Sequence, residues 1–489
     1  MRRPTHSLIL LTLATSLGAC TDEPPTAVPH RPDIISQFAL VNGPVTPISG
    51  GIVSSPVVTI ANSAVREMKP RISGDGDLLC YDEDPFGSAP TTRYYRFSSA
   101  VSSTIPGSGE DRDCAADGNR VTFSRLFPAA GRSGIMLFDV STSTLSELDP
   151  QPSVVDRRLS AIAGNTVLFL QSGRSQVRVI DLAAPNQSQL LSSTASPQNY
   201  GTPNLSPDGN VAVWDRCDAP FFPTNCDVMK AVRTAGTWGT PQLVTSSPDN
   251  EGSSDTDGSY IVWTSDLNNS TESDIYIQSV AGGPVTQLAI PGPEYSTSIS
   301  GGVVTFQGPN AGGGSYEVFA YIIATNKLYQ ITNTPPNEIL SDVAVLGNGD
   351  IRIVWDASAS GNSDVYATTF TPPFSFGGFS APVDNLPTIN VAKAGAGIPV
   401  KFSLGGDRGL TIFASGSPSS VTVTCNAGAP TGTVEETATA GNSGLSYDAT
   451  SDTYSYIWKT EKAWVNTCRR LTLQFVDGTV ANADFQFTK

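Results

Sequence analysis

A pattern of apolar and polar positions repeats along most of the chain, and it is clearest in Ser206–Trp214, SPDGNVAVW. There, an Asp-Gly turn opens a β-branched run that ends in an aromatic residue five positions after the glycine. After a polar loop come a second apolar strand, Cys226–Val232, and a third short strand, Gln242–Ser246. The pattern predicts a small antiparallel sheet encoded in about 45 residues.

The same pattern occurs seven times, with separations between turn glycines that run from 42 residues (76 to 118) to 49 residues (209 to 258). The turn glycines are Gly76, Gly118, Gly164, Gly209, Gly258, Gly301 and Gly349. The aromatic residues that follow them are Tyr81, Phe123, Phe169, Trp214, Trp263, Phe306 and Trp355. A four-stranded unit of this length cannot cover both of its own faces, so we expect the units to stack around an axis.

These patterns predict an all-β protein: a seven-bladed β-propeller over residues 34–383, followed by a small Ig-like β-sandwich over residues 384–489. The seventh repeat lacks a clear fourth strand, and Ser36–Ser49 has the pattern of a strand pair ahead of the first complete repeat. We therefore predict that Ser36–Ser49 supplies the missing strand and closes the ring.

Two parts of the chain resemble known families. SPDGNVAVW and strands such as Asp274–Val280 (DIYIQSV) resemble the TolB-type, WD40-like propeller repeats of bacterial envelope proteins, over about Glu67–Phe370. The box Pro399–Phe402 (PVKF), the cysteines Cys425 and Cys468 and the segment Tyr456–Thr460 (YIWKT) resemble the PxKF domain, a small extracellular β module at the ends of bacterial surface proteins. That resemblance implies no activity, and we expect Lys401 and Lys459 to be exposed strand residues.

The N-terminus has the features of a secretion signal. Arg2 and Arg3 precede an apolar core, Leu8–Leu17, that is too short for a permanent membrane span. The core ends in Leu-Gly-Ala-Cys20, which resembles the bacterial lipobox and predicts a lipoprotein signal peptide over residues 1–20 with lipidation at Cys20. Residues 21–33 form a Pro-rich tether. We expect an exported protein anchored by lipid in the outer membrane, facing the periplasm or the cell surface; the alternative is a cleaved signal in which Cys20 is incidental.

Six cysteines remain beyond Cys20, an even number that favours disulfides in an exported chain. Cys217 and Cys226 flank one loop, Cys425 and Cys468 lie together in the C-terminal domain, and Cys80 and Cys114 pair by elimination. A zinc site is the competing interpretation, but no CxxC spacing occurs.

Charge and composition restrict the chemistry. The net charge of −16 argues against nucleic-acid binding. The only histidines, His6 and His30, lie in the signal and the tether, which excludes histidine-based catalysis in the folded domains. Without a nucleophile-elbow motif either, we expect that the chain is not an enzyme. The alternative is a carbohydrate-active enzyme, a glycosidase or lyase, that uses acidic residues in the propeller funnel.

No cofactor and no metal site are predicted, although Asp75–Asp77 and Asp255–Gly258 have acidic spacing that partly matches a calcium loop. Neither segment has the distal glutamate of that pattern, and we interpret both as hairpin turns that need Asp and Gly for positive φ angles.

Loop length gives the best indication of a binding site. The second-to-third-strand loops leave the ring at one rim, and those of the last four repeats are long and polar. The predicted binding rim comprises Asp215, Phe221, Phe222, Asp266 and Asp356. We expect a monomeric, lipid-anchored binding or scaffold module that contacts an envelope protein or a surface glycan.

Overall fold

The computed structural model of the protein describes residues 44–489 except 86–87, 108, 152–154, 195–198, 219–224, 267–272, 311–313, 360–361, 426–428 and 440–443. The described residues form β-strands and the short 3-10 turns Pro128–Ala130, Ile323–Thr325 and Lys462–Trp464, and no α-helix occurs among them. The prediction of an all-β protein is therefore confirmed. Nothing in this described part is a helix of the length and hydropathy that a membrane span requires.

Seven sheets, named I to VII in chain order, occupy the chain up to Phe370. Sheet I comprises β3 (Arg66–Ile72), β4 (Leu78–Asp84), β5 (Thr91–Arg96) and β6 (Val101–Thr104). Sheet II comprises β7 (Glu110–Asp117), β8 (Arg120–Phe127), β9 (Arg132–Asp139) and β10 (Thr144–Leu148). Sheet III comprises β11 (Arg157–Ala163), β12 (Thr166–Gln171), β13 (Gln176–Asp181) and β14 (Ser188–Ser193).

Sheet IV has a divided first strand, and sheets VI and VII each gain a strand from the N-terminal segment. Sheet IV comprises β15 (Asn199–Tyr200), β16 (Asn204–Leu205), β17 (Val211–Cys217), β18 (Cys226–Thr234), β19 (Thr237–Trp238) and β20 (Gln242–Leu243). Sheet V comprises β21 (Glu251–Thr256), β22 (Tyr260–Ser265), β23 (Asp274–Ser279) and β24 (Val285–Gln287). Sheet VI comprises β25 (Tyr295–Ser300), β26 (Val303–Pro309), β27 (Tyr316–Ile322), β28 (Lys327–Gln330) and β1 (Ile48–Ile52). Sheet VII comprises β29 (Asn337–Val345), β30 (Ile351–Ala359), β31 (Asn362–Phe370) and β2 (Val57–Ala61).

The repeated glycines and aromatic residues have the same place in every sheet. Each turn glycine lies between the first and second strands, and its positive φ, for example 69° at Gly209, suits a residue without a Cβ. Each aromatic residue lies on the second strand and is at most 2% exposed, Trp355 being the most exposed of the seven. The glycine therefore sets the hairpin, and the aromatic side chain fills the space beside the sheet.

The apolar core of this part is divided among the contacts between neighbouring sheets. Trp214 of sheet IV packs with Leu168 of sheet III, and Trp263 of sheet V packs with Val213 of sheet IV. The same arrangement joins every consecutive pair, and Val354 of sheet VII packs with Tyr81 of sheet I. The seven sheets thus form a ring in which each sheet covers its neighbour.

The N-terminal segment adds outer strands to the ring, but the residues that pair with the last sheet are not the predicted ones. β2 is antiparallel to β31 and is the outermost strand of sheet VII, so the last sheet combines a strand from the N-terminal segment with the last three strands of the ring. The predicted closing segment, Ser36–Ser49, instead begins outside the described residues and ends in β1, which lies parallel to β28 of sheet VI. The prediction for Ser36–Ser49 is wrong, because Val57–Ala61 supplies the β-branched strand that pairs with sheet VII.

The C-terminal part folds as two five-stranded sheets around a main apolar cluster that includes Phe402, Trp458 and Phe475. A smaller cluster of Val421, Val423 and Cys468 lies on one of these sheets. The first sheet comprises β32 (Phe379–Ser380), β34 (Gly397–Phe402), β37 (Ala438–Thr439), β38 (Ser446–Asp448) and β39 (Thr453–Lys459). The second comprises β33 (Ile389–Lys393), β35 (Ser419–Val423), β36 (Pro430–Glu436), β40 (Cys468–Gln474) and β41 (Val480–Thr488). Arg408 joins this part to sheet VII, since its guanidinium donates to the Gly349 carbonyl at 3.1 Å.

Candidate functional site

A cavity of about 300 Å³ occupies the centre of the ring, and residues from the first strand of every sheet border it. We call this cavity the central channel. This volume is at the lower end of the range, about 300–1,000 Å³, that ligand pockets in proteins occupy. The second-to-third-strand loops and the connections between sheets all leave the ring at one end of the channel, which we call the loop-bearing end.

A bulge interrupts the first strand of each sheet except sheet IV, where residues 201–203 separate β15 from β16. In five sheets the bulge holds a non-glycine residue at positive φ, between 51° and 56°. Those residues are Lys69, Asp113, Leu159, Ser253 and Ser296. Because a bulge leaves its extra amide outside the ladder, each bulge needs a hydrogen-bond acceptor from elsewhere.

At three of the bulges the residue that follows a buried aromatic supplies this acceptor from the preceding sheet. The Asp113 amide donates to Asp82 Oδ2 at 2.8 Å, and the Lys69 amide donates to Asp356 Oδ1 at 3.3 Å. Ser124 Oγ accepts the Leu159 amide at 3.2 Å. Asp215 Oδ1 of sheet IV accepts a hydrogen bond from Ser254 Oγ of sheet V at 2.5 Å. These carboxylates and this hydroxyl tie neighbouring sheets together.

A second set of ties lies two residues after the bulge. The position is defined by register, since it pairs with the residue before each buried aromatic, and we call it the belt. The belt residues are Arg71, Ala115, Ala161, Asn204, Asp255, Ser298 and Asp342. Asp255 Oδ2 accepts the Ile299 amide of sheet VI at 2.9 Å, and Asp342 Oδ2 accepts the Ile72 amide of sheet I at 2.9 Å. Ser298 Oγ lies 3.0 Å from Asp255 Oδ2 and 2.7 Å from Asp342 Oδ1.

Burial changes the protonation of these carboxyl groups. Loss of water raises the pKa of Asp82 and of Asp356 to about 7 and that of Asp215 to about 6. Burial, followed by repulsion from Asp342, raises the pKa of Asp255 to about 7. The ring thus holds several carboxyl groups that change charge near neutral pH.

Buried glutamates form a third group, at the start of the first strands. Glu67, Glu251 and Glu338 each accept a hydroxyl from the residue four positions earlier, which is Ser63, Ser247 and Thr334 respectively. Burial raises the pKa of Glu251 to about 8 and that of Glu338 to about 7. Each glutamate thereby fixes the segment that leads into its first strand, at the loop-bearing end of the ring.

Two basic side chains lie along the channel, both from sheet I. Lys69 Nζ forms an ion pair with Asp113 Oδ1 at 2.7 Å. The Arg71 side chain, two residues further on, has no hydrogen bond and no ion pair with any of the described residues. Sequence reasoning missed Arg71; the only signal for it is its alignment with the other belt positions.

The predicted rim residues are in different places. Asp215 and Asp356 are 7% and 2% exposed and lie between sheets, so their prediction as exposed rim residues is corrected. The physical reason is that they directly follow the buried aromatic residues, at the level of the next sheet's bulge. Asp266 is half-buried at the loop-bearing end and accepts the Asn250 amide at 2.6 Å. Phe221 and Phe222 lie outside the described residues.

The segments with calcium-like spacing use their carboxylates within the fold. Asp255 binds the Ile299 amide, and Asp257 Oδ2 accepts the Gly302 amide of the next sheet at 2.7 Å. Asp75 Oδ1 accepts the Asp77 amide at 3.0 Å in the turn of sheet I. In the part of the chain that the structure describes, no group of three or more metal-ligating side chains comes together.

Three disulfides occur at the predicted pairs. Cys80–Cys114 joins β4 of sheet I to β7 of sheet II. Cys217–Cys226 is a cross-strand pair of β17 and β18 at the base of the sheet IV loop. Cys425–Cys468 belongs to the C-terminal part.

Comparisons with known proteins give fold-level similarity only. No protein-family model matches the chain, and no curated protein matches it. The β-propeller domain of the trilobed protease from Pyrococcus furiosus is 13% identical, with a TM-score of 0.47, and the match covers 62% of this chain and 95% of that one. An oligogalacturonate lyase in complex with manganese is 13% identical, with a TM-score of 0.48 and coverage of 67% and 96%. TolB from Acinetobacter baumannii is 14% identical, with a TM-score of 0.34 and coverage of 62% and 79%.

The expectation that the chain is not an enzyme is corrected. The similar structures include the lyase, prolyl endopeptidases and an acylaminoacyl peptidase, all enzymes. The expectation was wrong because the lack of histidine excludes only histidine-based mechanisms. No activity transfers to this chain at such low identity.

Proposed function

We propose that the chain is an exported lipoprotein that binds a partner at the bacterial cell envelope. In this proposal residues 1–20 are the signal peptide, Cys20 carries the lipid, and residues 21–33 tether the protein to the outer membrane. The three disulfides support export, because disulfides persist in oxidising compartments. Residues 34–383 act as a TolB-like, seven-bladed propeller and residues 384–489 as a PxKF-like, Ig-like sandwich.

The proposed binding face is the loop-bearing end, and the partner is an envelope protein or a surface glycan. The observation that carries this choice is the Cys217–Cys226 bond, which holds the base of the residue 218–225 loop on a ring whose sheets are tied to one another. Loops on a rigid scaffold are the usual location of recognition residues. The acidic net charge of −16 favours a partner other than nucleic acid, and the protein acts as a monomer.

The test compares two disulfide variants in intact cells. Cells that express Cys217→Ala/Cys226→Ala or Cys425→Ala/Cys468→Ala are treated with a crosslinker, and the captured partner is measured against wild type. The expected result is at least a fivefold loss of capture for the first variant and wild-type capture for the second. Thermal melts of both purified variants verify that each remains folded.

The opposite pattern, a loss only with Cys425→Ala/Cys468→Ala, would move recognition to the C-terminal sandwich and reject the loop-bearing end. The lipid anchor is tested separately with Cys20→Ser, which should move the protein from the membrane fraction to the soluble exported fraction.

A further inference from the structure

The central channel contains a guanidinium group that has no hydrogen bond and no ion pair with any described residue. Arg71 lies on the belt, and its side chain borders the cavity. The neighbouring strand of sheet VII carries Asp342, whose Oδ2 accepts the Ile72 amide, yet Arg71 forms no ion pair with Asp342 or with any other described residue. An arginine without a hydrogen bond inside the fold is available to a ligand, since its five N–H groups fit a carboxylate in two-point fashion.

The opposite charge lies on the same belt. Asp255 and Asp342 are held on either side of Ser298, and Arg71 is close enough to Asp255 to favour its charged form. Ser298 has one hydroxyl proton and can donate to only one of the two carboxylates at a time. A positive group placed in the channel would therefore be attracted to this side.

The remaining belt positions leave room for the body of a ligand. Ala115 and Ala161, from sheets II and III, have the smallest side chains of the belt, and Leu159 also lines the cavity. A purely anionic ligand would be repelled by Asp255 and Asp342, and a purely cationic ligand by Arg71. A ligand that carries both charges meets neither penalty.

We propose that the central channel binds a small zwitterionic ligand, the size of an amino acid or a dipeptide. Arg71 receives the carboxylate, Asp342 and Asp255 face the ammonium group, and the rest of the ligand lies over Ala115 and Ala161. This site is separate from the loop-bearing end, so it stands or fails independently of the proposed partner binding.

The experiment uses the purified full chain and three matched probes: Ala-Ala, its N-acetylated form and its C-terminal amide. Isothermal titration should show binding of Ala-Ala, and each blocked probe should bind at least tenfold more weakly because it lacks one of the two charges. Arg71→Gln should weaken Ala-Ala binding at least tenfold. Because Arg71 has no hydrogen-bond partner among the described residues, this variant should melt within about 2 °C of wild type.

The control variant is Arg233→Gln, which removes an arginine that pairs with Asp181 at 3.0 Å on the outer part of the ring. It should bind Ala-Ala as wild type does. The proposal is overturned if Ala-Ala does not bind at millimolar concentration, if the blocked probes bind equally well, or if Arg71→Gln binds like Arg233→Gln.

Discussion

The ring and the C-terminal sandwich bury their side chains in different ways. In the ring every apolar cluster is shared by two neighbouring sheets, whereas the clusters of the sandwich contain only residues of the sandwich itself. The ring also places buried carboxylates between sheets, and the raised carboxyl pKa values of the described residues all belong to it. The difference teaches that a ring sheet is not an independent unit, while the sandwich is self-contained.

The largest expected effect comes from removing a buried tryptophan in each region. Trp214→Ala should destabilise the protein by up to about 5 kcal/mol, because Trp214 is fully buried between sheets III and IV. Trp458→Ala should have a similar effect on the sandwich. Differential scanning calorimetry should show that Trp214→Ala lowers the melting transition of the whole ring and that Trp458→Ala lowers only that of the sandwich. If each variant lowered the melting transitions of the ring and of the sandwich together, the two regions would not be independent and the account would be contradicted.

Removal of a disulfide should likewise destabilise only the region that contains it. Cys80→Ala/Cys114→Ala opens a link across 34 residues between sheets I and II, and the chain-entropy model gives a loss of about 4 kcal/mol. The melting temperature of the ring should fall while that of the sandwich stays constant. The matched control, Cys425→Ala/Cys468→Ala, should lower the sandwich transition alone.

A smaller effect is expected for a single tie between sheets. Asp82→Ala removes the acceptor of the Asp113 amide and should cost about 1–3 kcal/mol in the free energy of unfolding, measured by urea denaturation. Asp82→Asn keeps an acceptor oxygen and should cost less. Asp448→Ala removes an exposed carboxylate of the sandwich, which accepts the Thr450 amide and the Ser451 hydroxyl in one turn, and should change stability less than Asp82→Ala does. Equal losses for Asp82→Ala and Asp448→Ala would show that the tie contributes nothing.

The smallest effect is the pH dependence of the ring. The pKa values of Asp82, Asp255 and Asp356 are raised to about 7 by burial, so the folded state binds more protons than the unfolded state between about pH 4 and pH 7. Stability is therefore lost as the pH rises through this window. The ring should melt at a lower temperature at pH 8 than at pH 5, and the sandwich transition should not follow it. A ring that becomes more stable on going to pH 8 would contradict the assignment.

The sequence predicted the features that depend on neighbouring residues. The glycine turns, the buried aromatic residues from Tyr81 to Trp355 and the pairing of Cys217 with Cys226 are all local or periodic signals. The position of Asp215 and Asp356 could not be predicted, because their burial depends on a bulge in a different sheet. The placement of β2 on sheet VII also depends on strand pairing across some three hundred residues, as at Thr59 and Tyr366, for which one sequence contains no signal.

Site-specific photo-crosslinking in intact cells tests the proposed binding face most directly. A photoreactive residue is placed at Ser88 or Arg174, which are exposed at the loop-bearing end, or at Asn210 or Asn348, which are exposed in hairpin turns at the opposite end. We predict that partner adducts form from Ser88 and Arg174 and not from Asn210 or Asn348. Adducts that form only from the turn positions would contradict the account.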